Sequence, residues 1–136
     1  ERALRYGKED RLPLMLDDTI TFFSRLTEGA YTGIAFQKNG MKVQRKDGTT
    51  FFPNELSQGT VEQLYIALRL AFVKNTADIV SMPILIDDGF VNFDEDRKNI
   101  MFTLLEELSE DVQVLFFTFD DACVQRFSQK QVYMLK

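Results

Sequence analysis

The sequence contains no histidine and no tryptophan, and it has one cysteine, Cys123, among its 136 residues. Without histidine the chain cannot form a Ser-His-Asp triad, a Cys-His nucleophile or a zinc site with histidine ligands. A single cysteine excludes an internal disulfide and favours a reducing compartment. Any acid–base chemistry must therefore fall to carboxylates, lysine, tyrosine or water.

Long apolar runs and a basic surplus are also missing. No run approaches the roughly 20 apolar residues that span a bilayer, so we expect a cytoplasmic protein without a membrane partner. The formal net charge of −5 does not favour an independent nucleic-acid binder, because such domains normally carry a basic surplus. The 45% hydrophobic content is that of a globular domain with a sizeable core.

The first residue is Glu1 rather than methionine, and the stretch that it opens is charged. We therefore expect a piece of a longer protein. Residues 1–11 lack a strong apolar face and are predicted to be a frayed helical end or a linker. Pro13 is predicted to open a helix at its first turn, and Gly29 to end it.

A hairpin, a third strand and a long helix are predicted next. Asn39-Gly40 is a strong tight-turn signal between strands at 31–36 and 41–45. A short strand at 50–52 follows, and apolar residues recur at helical spacing over 57–75.

From this helix onward, helices and strands alternate. Strands are predicted at 83–86 and 112–118, the second one buried on both faces because it is apolar throughout. A helix is predicted over 94–110, followed by a short helix at 121–127 and a closing strand at 131–135. This order predicts an α/β fold with a largely parallel sheet flanked by helices, preceded by the amino-terminal helix and hairpin.

The start of the long helix, Ser57-Gln58-Gly59, is the first candidate site. Its cap is predicted to be either Ser57 or a capping box of Thr60 and Gln63. Unpaired N–H groups and the helix dipole make such a start an anion site, and Gly59 allows a phosphate to approach the backbone. Simple capping would explain the same pattern, so both interpretations stay open.

Adjacent carboxylates form the second candidate site. Asp87 and Asp88 follow a buried strand, at the sheet edge where α/β proteins place their ligands. One carboxylate can hold Mg²⁺ through water, and its neighbour can orient or deprotonate a nucleophilic water. Asp94 is a natural cap of the next helix. A cap or turn role would explain the pair equally well.

The order and spacing of these segments resemble the carboxy-terminal lobe of the head of SMC-like ABC-type ATPases, most closely the bacterial YhaN-type coiled-coil proteins of DNA repair. The resemblance covers nearly the whole chain. Residues 23–31 correspond in this resemblance to the return of the coiled coil, and residues 56–64 to the signature motif. The Walker B strand corresponds to residues 84–88, and the D-loop to residues 91–94. Residues 1–12 would be the end of the coiled coil or a linker, and 13–136 the lobe.

The resemblance implies that two identical heads sandwich two ATP molecules. Ser57, Gln58 and Gly59 would then clamp the γ-phosphate of the nucleotide held by the opposite head, and Asp94 would signal across the dimer. The full protein would act in DNA maintenance or repair, binding DNA and pairing with a metal-dependent nuclease subunit.

The same resemblance assigns Asp87 to Mg²⁺ and Asp88 to the attacking water, but this sequence departs from the family pattern. The phosphate loop G-x-x-x-x-G-K-[ST] is missing, since the family carries it on the amino-terminal lobe. The isolated chain is therefore expected to be inactive. Many heads have glutamate where Asp88 stands and proline where Gly89 stands. Asp120 occupies the place of the switch histidine, where a carboxylate would repel a γ-phosphate.

Three alternatives remain. A Mg²⁺-dependent phosphoesterase or nuclease could use Asp87, Asp88, Asp94 and Asp120 around two metals about 4 Å apart, although residues 56–64 would then have no task. A receiver domain would need its acidic pair at the first strand. A catalytically degenerate interaction domain would keep the fold without the chemistry.

Overall fold

A long helix, α1, opens the chain. The structure is a computed structural model that describes residues 2–80, 83–87 and 93–117, with side chains from residue 12 onward. Helix α1 is Arg2–Leu26, with Pro13 inside it. The prediction that a helix opens at Pro13 is therefore wrong. Proline removes one backbone donor, but the strong helix formers that precede it, among them alanine, leucine, arginine and lysine, support continuation upstream.

Two residues with left-handed backbone follow the end of α1, where Gly29 was predicted to stop the helix. Glu28 has φ 54° and Gly29 has φ 82°. The Gly29 N–H donates to Ser24 O at 2.8 Å, and the Glu28 N–H donates to Arg25 O at 3.1 Å. These paired bonds satisfy the last carbonyls of the helix and turn the chain back toward it.

A three-stranded antiparallel sheet follows, in the order β1-β2-β3. Its strands are β1 (Tyr31–Gln37), β2 (Gly40–Arg45) and β3 (Thr50–Phe51). The tight turn before β2 confirms the hairpin predicted from Asn-Gly, and Gly40 has the positive φ, 122°, that favours glycine. A 3₁₀ turn, Pro53–Glu55, ends the sheet segment.

The second half alternates helices and strands. Helix α2 is Gln58–Thr76, β4 is Ile84–Asp87, α3 is Glu95–Leu108 and β5 is Val114–Phe117. Strands β4 and β5 pair in parallel, with Ile84 opposite Val114 and Asp87 opposite Phe117. This confirms the mixed helix–strand fold. The helix and strand predicted after residue 120 lie outside the described residues.

The core lies where α1, α2 and α3 meet. Polar contacts fix α1 against α2. The Gln63 side chain of α2, which is fully buried, donates from Nε2 to Leu26 O at 3.0 Å. Lys74 of α2 pairs with Asp18 at 3.1 Å. The largest fully buried apolar side chains are Phe23, Leu26, Leu64, Met101, Leu104 and Val43.

The sheet of β4 and β5 packs on this core with one face. Ile84 and Ile86 are buried, whereas Leu85 is 58% exposed and Phe117 is 47% exposed. The prediction that the strand at 112–118 is buried on both faces is therefore wrong for its described part. Alternate side chains of a strand point to opposite faces, and only the face toward the helices is covered.

Candidate functional site

The amino terminus of α2 is capped by Ser57. Ser57 has extended backbone (φ −63°, ψ 156°), and its Oγ accepts the Thr60 N–H at 3.2 Å. This geometry confirms Ser57 as the cap, and the alternative capping box of Thr60 with Gln63 is wrong. Gln63 instead points into the core, where its amide bonds the end of α1.

Two further first-turn N–H groups, those of Gln58 and Gly59, lie at the open start of α2. The first turn of a helix has no carbonyl partners for these groups within the helix itself. The 19-residue length of α2 places the positive end of a full helix dipole at the same point. Gln58 is exposed, so the start of α2 offers donors and positive potential to solvent.

Gly59 is not required by the fold. Its backbone lies outside the left-handed region that favours glycine. Among the described residues, a Cβ at this position would meet only Arg97 Nη1, at 3.8 Å, which is an ordinary contact distance. Alanine would therefore fit and would be the better helix former. A glycine that the fold does not need leaves room for something else to approach the backbone.

Asp94 caps α3 next to this point. Asp94 Oδ1 accepts the Arg97 N–H at 2.8 Å, and Asp94 Oδ2 lies 3.8 Å from Arg97 Nε. Because Arg97 also faces Gly59, the starts of α2 and α3 come together. Two predicted site residues, Gly59 and Asp94, are thus neighbours through an arginine that sequence reasoning missed. The available signal was a basic residue in the first turn of the helix that Asp94 caps.

Asp87 is the last residue of β4 and is exposed. Its carboxylate therefore lies at the carboxyl end of a parallel strand, as predicted. Asp88 and Asp120 lie outside the described residues, and their roles stay predictions. Within residues 12–80, 83–87 and 93–117, no three histidine, cysteine, aspartate or glutamate residues form a group that could hold a metal. The two-metal alternative needs both undescribed carboxylates, so it also stays untested.

An open groove of roughly 700 Å³ borders the start of α2. Its walls come from the hairpin turn, the 3₁₀ turn and the first turns of α2, including Gln58 and Tyr65. Lys42 Nζ lies 4.6 Å from the centre of the Phe52 ring at the same edge. No local pattern in the sequence predicts this groove, because its walls come from three separate segments.

Comparison with known proteins identifies a homologous protein. No protein-family model matches the chain. The uncharacterized protein YhaN of Bacillus subtilis is 37% identical over 135 residues, which are 97% of this chain and 14% of YhaN. This chain is a relative of YhaN. The chain therefore corresponds to a small part of that relative, and the activity of the whole protein is a matter for proposal.

Solved structures identify the fold. An SMC ATPase structure, described for ATP-driven dimerisation and DNA-stimulated activation, matches with a TM-score of 0.64 and 15% identity over 80% of this chain and 69% of that one. The SMC head domain from Thermotoga maritima matches with a TM-score of 0.59 and 17% identity over 88% of this chain and 44% of that one. The resemblance to the carboxy-terminal lobe of an SMC-like head is thus confirmed. None of the described helices is long and apolar enough to cross a membrane.

Proposed function

We propose that this chain is the carboxy-terminal half of an ATPase head in a longer, SMC-like coiled-coil protein. It supplies the signature motif from residues 56–64 and the Walker B strand from residues 84–88. An amino-terminal lobe of the same protein supplies the phosphate loop that this sequence lacks. The YhaN relationship over 97% of the chain and the SMC-head fold support this proposal.

Gly59 is the observation that carries the proposal. It occupies the first turn of α2 beside a capping serine, in a place where the fold accepts a Cβ. A helix start with unpaired N–H groups and an unobstructed backbone suits a phosphate, because the donors and the dipole act on the same charge. We assign Ser57, Gln58 and Gly59 to the γ-phosphate of a nucleotide held by the opposite head.

The proposal places Mg²⁺ binding and activation of the attacking water at the edge of the β4–β5 sheet. Asp87 stands exposed at the carboxyl end of β4, and a lone carboxylate with substrate phosphates and water is an ordinary Mg²⁺ environment. We assign Asp87 to Mg²⁺ and Asp88 to the attacking water. Phosphoryl transfer needs such positioning and charge stabilisation more than covalent chemistry from the protein.

ATP would then drive association of two identical heads, as in the SMC ATPases whose fold this chain shares. Asp94, at the start of α3, would contact the opposite head and report the state of its nucleotide. We further propose that the full protein is cytoplasmic and acts on DNA in maintenance or repair, with a nuclease subunit as a further partner. A larger parallel sheet would form from β4, β5 and the amino-terminal lobe.

Ser57→Arg in the full-length protein tests the proposed role of the signature motif. The bulky cation would block the γ-phosphate position, so ATP-driven head association should weaken at least about tenfold, the equivalent of roughly 1.4 kcal/mol. Nucleotide binding by a single head should change much less. Sedimentation with an ATP analogue measures the first quantity, and binding of a fluorescent nucleotide measures the second.

Ser109→Arg is the matched control. Ser109 is also an exposed serine next to a helix end, but it lies at the carboxyl end of α3 rather than at the amino end of α2. Arginine is favourable there, so head association should be unchanged. Equal loss of association and single-head binding in Ser57→Arg would contradict the proposed trans-acting role.

A further inference from the structure

Arg97 is the candidate for an additional role at this site. It lies in the first turn of α3, and its side chain is 33% exposed. Its guanidinium reaches across to α2, where Nη1 is 3.8 Å from the position that a Cβ at Gly59 would occupy. The positive charge therefore borders the same open space into which Gly59 gives access.

At least one hydrogen-bond donor of the Arg97 guanidinium is unused among the described residues. Arg97 Nε is buried and has no hydrogen-bond partner among the described residues. Asp94 Oδ2, at 3.8 Å from Nε, attracts the charge but is too distant for a hydrogen bond. A guanidinium carries five N–H donors and no acceptor. A buried donor without a partner costs free energy, so an acceptor that reached Nε would stabilise the site.

A structural strut between α2 and α3 would need a bond from Arg97 to an acceptor on α2, and no hydrogen bond or ion pair joins Arg97 to α2 among the described residues. The first-turn N–H groups of Gln58 and Gly59 point outward from the helix start, and the Thr60 N–H is taken by Ser57. A guanidinium beside these N–H groups and the positive end of the helix dipole is repelled by them. An anion placed between Arg97 and the start of α2 would be attracted by both.

We propose that Arg97 is a phosphate-binding residue that contacts the same nucleotide phosphate as Ser57 and Gly59. This inference rests on the proposed function, because that phosphate belongs to a nucleotide held by the opposite head. Asp94 Oδ2, 3.8 Å from Nε, attracts the guanidinium toward the start of α3. The planar fork of arginine can bond two phosphate oxygens, which a lysine ammonium cannot reproduce in the same geometry.

Head association of the full-length protein tests this role, with Mg²⁺ and adenosine 5′-(β,γ-imido)triphosphate as the probe and ADP as the comparison. Arg97→Gln should weaken association with the triphosphate analogue by about tenfold to a hundredfold, as expected for loss of charged hydrogen bonds. Association in ADP should stay at the wild-type level. Arg97→Lys should recover part of the loss, because it restores the charge without the fork.

Lys98→Gln is the matched control, because it removes the same charge from the next residue of α3, where Lys98 faces Glu95 at 3.9 Å. It should leave association unchanged. A purely structural role for Arg97 would instead lower the melting temperature of Arg97→Gln and weaken association equally in both nucleotides, which would overturn the inference.

Comparison with Ser57→Arg separates this inference from the proposed function. If Ser57→Arg abolishes association while Arg97→Gln associates like wild type, Arg97 does not bind the phosphate and the proposed function stands. If neither substitution changes association, the proposed function itself fails.

Discussion

Gly59 shows at the residue scale how a fold and a function can make different demands. Helix α2 would be more stable with alanine at this position, because glycine is the poorer helix former. The structure has space for the methyl group, and Arg97 is its only close neighbour within residues 12–80, 83–87 and 93–117. Under the proposed function, the glycine leaves room for a phosphate that approaches the start of α2.

Gly59→Ala should raise the free energy of unfolding of the chain, by at most about 1 kcal/mol, while weakening ATP-driven head association in the full-length protein. Urea unfolding measures the first effect and sedimentation the second. Gly33→Ala is the contrasting variant, since a Cβ there would meet Gln44 Oε1 at 3.1 Å. It should lower stability or leave it unchanged, without a specific effect on association. Normal association of Gly59→Ala would contradict the role given to this glycine.

Gln63, unlike Gly59, has a structural role, because its side chain is buried and bonds the end of α1. Its Nε2 bonds Leu26 O, but its Oε1 is buried without a hydrogen-bond partner among the described residues. Gln63→Ala should therefore cost about 2–4 kcal/mol, from the cavity and the lost hydrogen bond. Gln63→Leu should cost less, because it fills the space and removes the unpaired oxygen. Urea unfolding of both variants checks this order, and the reverse order would contradict it.

At the scale of elements, local signals predicted most of the fold. Asn39-Gly40 set the hairpin, and the apolar spacing of 57–75 set α2, because turn geometry and helix periodicity are local properties. The cap of α2 was left between two alternatives, since the sequence could not show that Gln63 is directed at α1. The continuation of α1 through Pro13 was missed because proline more often marks a helix start than an interior position.

Arg25 and Glu107 join α1 to α3, with Arg25 Nη1 at 2.8 Å from Glu107 Oε2. The hydrogen bond from Arg25 holds the pKa of Glu107 below its usual value of 4.5. A carboxyl with a lower pKa in the folded state stabilises the fold above its unfolded pKa, and that contribution is lost as the pH falls. Because both side chains are more than a third exposed, the contribution is under about 1 kcal/mol.

Glu107→Gln should therefore lower the free energy of unfolding at pH 7 and leave it closer to wild type near pH 3. Arg25→Gln should reduce the same acid-dependent loss, because it removes the partner that shifts the pKa. Urea unfolding across this pH range measures the difference. A gap between Glu107→Gln and wild type that is independent of pH would contradict the assignment.

For the molecule as a whole, the main unexplained feature is an exposed apolar face on the β4–β5 sheet. Leu85, Leu115 and Phe117 lie on the exposed face of the β4–β5 sheet, although the sequence of β5 is typical of a strand covered on both faces. Under the proposed function, the amino-terminal lobe of the same protein packs on this face. This packing would bury the face of β5 that its apolar sequence predicts to be covered.

The candidate site could also be predicted only in part from the sequence. Ser57, Gly59 and Asp94 could be predicted because each marks the start of a helix in the sequence. Arg97 could not be assigned to the start of α2, because it lies near Gly59 only in the folded chain and the two residues are 38 positions apart in the numbering. The triphosphate site itself would be completed only by a second lobe and a second head.

ATP turnover by this chain co-expressed with the amino-terminal lobe of its parent protein is the most direct measurement of the central claim. We predict turnover that needs both lobes, that is undetectable for the isolated chain, and that is lost in Asp88→Asn. Turnover by the purified chain alone, unaffected by Asp87→Ala, would contradict the assignment of this chain as half of an ATPase head.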